Sequence, residues 1–240
     1  PQALDVTGEF RDDLLPELNG KFPFSGPFHL RWDRKSEVTF SSERIEANFG
    51  ALSADGRLDI GRELRIELSG EVTDIPRGRE FTSLVLRLPL TFPEIRGRGK
   101  ADIKILGAWH SPEIKIDFAL APGGFAGFDA AEGSGLVEIA KGETYGMVDI
   151  RDPELEGRLR FHSIPGFYSC TVEKGEGTLE RIFSSLGLDL PLTGRVAGEL
   201  EFHDDGKGIA SAGDFTAARA EIAGQPIEKV KGHYDWSTAD

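Results

Sequence analysis

Residues 100–120 read KADIKILGAWHSPEIKIDFAL. In the first half Ile103 and Ile105 share one parity, while Lys100, Asp102 and Lys104 share the other. In the second half Ile114, Ile116, Phe118 and Leu120 alternate with Glu113, Lys115 and Asp117. A strict period of two is that of a β-strand, whose successive side chains point to opposite faces. The stretch therefore reads as two strands, each with one oily and one wet face. Trp109 reads as a turn or rim residue before Ser111-Pro112.

The same texture extends in both directions. PFHLRW (27–32) alternates Phe28, Leu30 and Trp32 with His29 and Arg31. GALSADGRLDI (50–60) carries Leu58 and Ile60, with Asp55-Gly56 read as a hairpin turn. ELRIELSGEV (63–72) sets Leu64, Ile66 and Leu68 against Arg65 and Glu67. TSLVLRLPLTF (82–92) puts Leu84, Leu86, Leu88 and Leu90 on one parity, which predicts another strand. Lys141-Gly142-Glu143 reads as the turn of a hairpin over 135–150. Leu200 and Phe202 share a face before the turn at Asp204-Asp205-Gly206.

Helix is expected in only two places. LERIFSSLGLDL (179–190) spaces Leu179, Ile182, Phe183 and Leu186 as a helical stripe, with Thr178 as its cap. FRDDLLPELNG (10–20) has room for one or two turns. The fold class expected is all-β: a long, mostly antiparallel curled sheet forming an open hydrophobic groove, with one or two short helices. No composition shift marks a linker, so residues 1–240 read as one continuous elongated segment. Both ends, PQALDV and GHYDWSTAD, read as cuts inside a longer polypeptide.

Composition narrows the function classes. The net charge is −13, from 41 acidic and 28 basic side chains. That balance disfavours nucleic acid and anionic lipid headgroups, which call for basic surfaces. Thirty glycines and thirteen prolines fit frequent turns. The single cysteine, Cys170, excludes an intrachain disulfide and reads as a small buried hydrophobe. SLVLRLPLTF (83–92) is interrupted by Arg87 and Pro89, so it is too short to span a membrane as a helix.

No catalytic constellation emerges. His29, His110, His162, His203 and His233 show no metal-ligand spacing, and no phosphate loop or nucleophile elbow is present. The chain is not expected to be an enzyme, and neither a metal nor another cofactor is expected.

Two longer stretches carry a resemblance. LDLPLTGRVAGELEFHDDGKGIASAGDFTAARAEIAGQPIEKVKGHYDW (188–236) and RGRGKADIKILGAWHSPEIKIDFALAPGGFAGF (96–128) share a cadence of glycines with alternating apolar residues. PFSGPFHLRWDRKSEVTFSSERIEANFGALSADGRLDI (23–60) has the same texture. The cadence resembles the AsmA-like proteins and, within them, the TamB family of the bacterial envelope. The resemblance implies a β-sheet trough in the periplasm, in a parent chain anchored in the inner membrane. It implies movement of phospholipids between inner and outer membranes, with possible outer-membrane assembly partners, and it carries no catalytic residues.

The residues pose the same problem independently. A long sheet with one oily face and almost no helix must cover that face. A sandwich, a closed barrel, or a trough filled by acyl chains would each do so. In the trough reading the groove is lined by the apolar positions named above on 58–68, 84–90, 103–105, 114–120 and 200–202. Two other functions stay open at this point: a periplasmic scaffold assisting outer-membrane protein assembly, and a dry-core structural or adhesive domain.

Overall fold

The computed structural model describes residues 3–11, 21–86, 95–125, 128–185 and 191–238. The first strands are β1 (Leu4–Arg11), β2 (Phe24–Trp32), β3 (Glu37–Ala47), β4 (Gly50–Asp59) and β5 (Glu63–Val72). Helix α1 (Ile75–Leu86) follows, then β6 (Ile95–Ala108), β7 (Ser111–Phe125) and the short β8 (Phe128–Ala130). Next come β9 (Glu132–Ala140), β10 (Glu143–Asp152), β11 (Leu155–Ile164) and β12 (Phe167–Thr178). Helix α2 (Leu179–Ser185) precedes β13 (Leu192–Asp204), β14 (Ile209–Ile222) and β15 (Gln225–Ser237).

All fifteen strands belong to one antiparallel sheet that does not close on itself. Strand order follows chain order from β1 to β15, except that β8 sits beside β7, off the main path. Each strand therefore pairs with its sequence neighbour, as expected when short turns link alternating segments. By contacts the chain divides into two compact units. Unit 1 is Pro1–Leu90, Ile95–Leu120 and Leu136–Lys141; unit 2 is Thr91–Glu94, Ala121–Gly135 and Gly142–Asp240.

Several local expectations meet the structure directly. Lys141 and Gly142 form the predicted turn, with φ of 54° and 82°, the left-handed pair that a two-residue hairpin needs. The 205–208 turn is held by Asp205, whose carboxylate accepts the Lys207 and Gly208 amides at 2.9 and 3.0 Å. Those amides keep its pKa below the ordinary value. Thr178 caps α2, its hydroxyl accepting the Arg181 amide at 3.3 Å.

Two expectations are corrected. Asp55-Gly56 is no turn: both residues lie inside β4, opposite Glu67 and Ile66 of β5. The turns flanking β4 are at Asn48-Phe49 and 60–62. The second correction concerns 82–92. Residues through Leu86 are helical, not extended, so Leu84 and Leu86 lie on α1. Asp74 explains this, since its carboxylate accepts the Arg77 amide at 3.0 Å as an N-cap. Pro76 falls in the first turn, where a missing amide costs nothing. Leu88 and Leu90 lie outside the described residues, as does most of the 10–20 segment; its first two residues, Phe10 and Arg11, are in β1.

Candidate functional site: the apolar face of the sheet

In unit 1 the register assembles the oily positions of successive strands on one face. Leu4, Trp32, Val38, Leu58 and Leu64 stand opposite one another from β1 to β5. The next row is Val6, Leu30, Phe40, Gly56, Ile66 and Ile105. A third row, Ser42, Ala54, Leu68 and Ile103, follows β3 to β6. The other face is charged or polar in the same order: Thr7, His29, Ser41, Asp55, Glu67 and Lys104. The period-two reading of Leu58, Leu64, Ile66, Leu68, Ile103 and Ile105 thus becomes a shared surface. Ile60 departs from it, lying in the turn after β4 at 53% exposure.

Unit 2 repeats the arrangement. Val148, Leu159, Val172, Leu200, Gly213 and Tyr234 form one row from β10 to β15. Gly146, Phe161, Cys170, Phe202, Ser211 and Trp236 form the next. One margin of this face turns polar, where Thr144, Ser163, Tyr168 and Asp204 stand in line. Burial pushes the Cys170 thiol up from its ordinary pKa, and the phenol of Tyr168 likewise. The cysteine is therefore held neutral, a poor nucleophile.

The wet faces are stitched by cross-strand ion pairs. Arg57 reaches Glu37 at 2.8 Å and Lys115 reaches Glu138 at 2.7 Å in unit 1. Arg158 binds Asp149 at 2.7 Å and Arg195 binds Glu176 at 3.0 Å in unit 2. A depression of about 430 Å³ lies among His29, Thr39, Asp55, Arg57 and Arg65. Its two arginines are engaged by carboxylates, Arg57 with Glu37 and Arg65 with Glu67, and His29 is hydrogen-bonded to Asp5, which leaves it poorly suited to an anion. Among the described residues no group of three or more His, Cys, Asp or Glu could hold a metal.

Each helix covers one end of an apolar face. In unit 1 Phe22, Phe49, Leu52, Val72 and Ala101 form a buried cluster against which Ile75 and Phe81 of α1 pack. The Phe81 ring lies 5.1 Å from Phe49, 5.7 Å from Phe22 and 6.0 Å from Phe24, the spacing of favourable aromatic pairs. Lys21 and Glu80 pair at its margin. In unit 2 Ile182 of α2 sits over Gly177, with Leu155 beside it. Arg181 ties α2 down by donating to the Asp129 carbonyl at 2.8 Å. The sequence alone identified α2 by its stripe but not α1, nor the cluster of phenylalanines that α1 covers.

Burial along the apolar face is graded. Ile114, Val137 and Val148 are 1–2% exposed, and Ile105 and Leu120 are buried too. Ile116 and Phe118 are half-buried, the latter against the α1 cluster. On β2 and β13 every apolar member of the alternation is half-buried, Leu200 and Phe202 included. On the edge strands Leu4 and Val6 are 39% and 37% exposed, and Tyr234 and Trp236 36% and 53%. Leu84 on α1 is exposed as well. No helix among the described residues is long and apolar enough to cross a membrane. Comparison with known protein families, curated proteins and solved structures finds no match to this chain.

Proposed function

We propose that the apolar face is an acyl-chain surface, and that this chain is the groove segment of an envelope protein that moves phospholipids between inner and outer membranes. The observation that carries the reading is the register. Strand after strand delivers its oily positions to one face, and on β2 and β13 that face is only half covered by protein. Two short helices close ends of it, positions such as Ile114 and Val148 are already buried, and the half-buried stretches on β2 and β13 are left to another cover. Each CH₂ of a lipid tail laid on such a surface gains roughly 0.8 kcal/mol over water. Against a bilayer the gain nearly cancels, so a tail can enter and leave. The charged opposite face keeps the assembly hydrated, and headgroups stay in water at the margin without a specific pocket. The AsmA-like and TamB resemblance supports a periplasmic setting, with the parent chain anchored in the inner membrane.

Native mass spectrometry and lipid extraction of the purified chain test this. Co-purifying diacyl phospholipid, or its uptake from vesicles, is the expected result. Protein that is lipid-free as purified and takes up none from vesicles overturns the proposal and leaves a dry structural core.

A further inference from the structure

Three turns of unit 1 are joined side by side. Residues 33–36 link β2 to β3, 60–62 link β4 to β5, and Trp109-His110 link β6 to β7. The Ile60 amide donates to the Ser36 carbonyl at 2.8 Å, and the Trp109 amide donates to the Arg62 carbonyl at 3.4 Å. Among the large apolar side chains of the described residues Trp109 is the most exposed, at 57%, and Ile60 stands at 53%. Apolar side chains exposed singly are ordinary, but these two stand on adjoining turn tips. Directly behind them lies the first oily row of unit 1, with Trp32, Val38, Leu58 and Leu64.

The charges of this rim balance. Arg34, Lys35 and Arg62 stand there with Asp33, Asp59 and Glu63, in a chain whose net charge is −13. Asp33 spends its carboxylate on the Lys35 and Glu37 amides at 2.7 and 3.0 Å, and Arg62 reaches Asp59 only at 3.9 Å. Long cationic side chains of this kind can extend to phosphates while neighbouring apolar groups enter the layer beneath. An indole favours that boundary between headgroups and hydrocarbon. Two half-exposed side chains supply far less than the roughly 800 Å² per partner that a stable protein contact buries. A bilayer takes up such tips without needing a shaped recess.

We propose that this rim docks on a zwitterionic phospholipid bilayer, with Trp109 and Ile60 entering its interfacial layer. Docking there sets the first oily row next to the acyl region. Passing tails to and from the sheet by this contact rests on the acyl-chain reading; the docking itself does not.

Flotation of the purified chain with phosphatidylcholine vesicles reads the contact. The expected result is protein that floats with the vesicles. Trp109→Ala should weaken partitioning by roughly three- to tenfold, in keeping with the loss of one large apolar side chain from the interface. Adding Ile60→Ser should bring flotation to background, with the urea midpoint unchanged because both positions are exposed. Tyr145→Ala removes an aromatic of similar exposure, 48%, from the wet face of unit 2 and should leave flotation as it was. With Trp32→Phe and Trp236→Phe, Trp109 is the only indole left, and its emission should shift to the blue when vesicles are added. A chain that does not float at millimolar lipid overturns the proposal, as does flotation that ignores the loss of Trp109 and Ile60. A dimer in sedimentation velocity that these two changes dissolve would assign the rim to a protein contact and overturn it too. A chain that floats yet carries no phospholipid keeps the docking and ends the acyl-chain reading; one that carries phospholipid and never floats does the reverse.

Discussion

Phe161 on β11 stands directly opposite Gly146 on β10, and its ring occupies the space that a side chain at 146 would need. A Cβ built on Gly146 would lie 2.1 Å from Cζ of that ring. Phe40 covers Gly56 in unit 1 in the same way, at 1.9 Å from Cε1. A glycine in a strand weakens it, and an aromatic ring laid across the glycine repairs the loss. Phe161 is only 4% exposed, so its ring has little room to retreat. Gly146→Val should therefore cost about 1–3 kcal/mol through overpacking. Urea denaturation checks this, and an unchanged midpoint would mean that the ring moves freely.

Gly70 meets backbone instead of a ring. Its added Cβ would come 2.2 Å from the Ala51 carbonyl oxygen on β4. Gly26, Gly50 and Gly99 meet the Arg44, Glu71 and Ala119 carbonyl oxygens just as closely. Backbone cannot rotate aside, so Gly70→Ala should destabilise more than Gly78→Ala, whose nearest neighbour is the Phe49 ring at 3.4 Å. The comparison of the two urea midpoints is the measurement. The Gly70 variant should lose at least about 2 kcal/mol, at the upper part of the overpacking range.

These glycines also explain where the sequence could be read and where it misled. Asp55-Gly56 has the composition of a hairpin turn, but its glycine serves to admit Phe40 from the next strand. That demand is nonlocal, since it comes from the pairing of residues 16 apart in sequence (56 and 40). Leu84 and Leu86 alternate as in a strand, yet the local signal upstream was stronger: Asp74 capping a first turn that holds Pro76. Period two over a few leucines is too short to outweigh a cap. Where period and punctuation agree, as at Lys141-Gly142 or from Thr178 into α2, local reading sufficed. Ile103, Ile114 and Ile116 were legible because each has charged neighbours on both sides. Their graded burial was not, because it depends on which strands and helices come to lie nearby.

Thr178 tests the cap of α2. Its hydroxyl satisfies the Arg181 amide, and Arg181 in turn anchors the helix to the Asp129 carbonyl. Thr178→Ala should cost about 1 kcal/mol, while Thr178→Ser should cost much less. Because α2 lies over Gly177 and Leu155, hydrogen exchange should quicken first at that end of unit 2.

Asp149 and Arg158 make a pH-dependent contribution. The hydrogen bond from Arg158 holds the Asp149 carboxyl below its ordinary pKa. A carboxylate with a depressed folded pKa stabilises the protein above its unfolded pKa, about 4, and that contribution fades as pH falls through the folded value. Asp149→Asn should therefore be less stable than wild type at pH 7 and indistinguishable from it near pH 2. Both side chains are partly solvent-exposed, so the gap at pH 7 should be small. Denaturant midpoints at the two pH values measure it, and a gap of equal size at both would assign the stabilisation to packing instead.

A carboxylate placed on the oily face separates a covered floor from an acyl-chain surface. Ile114 is 1% exposed, so Ile114→Asp buries a charge without a partner and should cost roughly 3–5 kcal/mol. Leu200 is half-buried on a strand whose every oily position is half-buried. In Leu200→Asp the carboxylate can reach water, so the fold should survive with a loss below about 2 kcal/mol, within the usual range of single substitutions. The same carboxylate lies where a lipid tail would run, so co-purified phospholipid should fall severalfold. Far-ultraviolet circular dichroism and lipid extraction on the same preparation read the two effects apart. If Leu200→Asp unfolds the protein as Ile114→Asp does, the face around β13 is a sealed core and the acyl-chain reading fails there. If it folds and retains wild-type lipid, the tails lie elsewhere on the sheet.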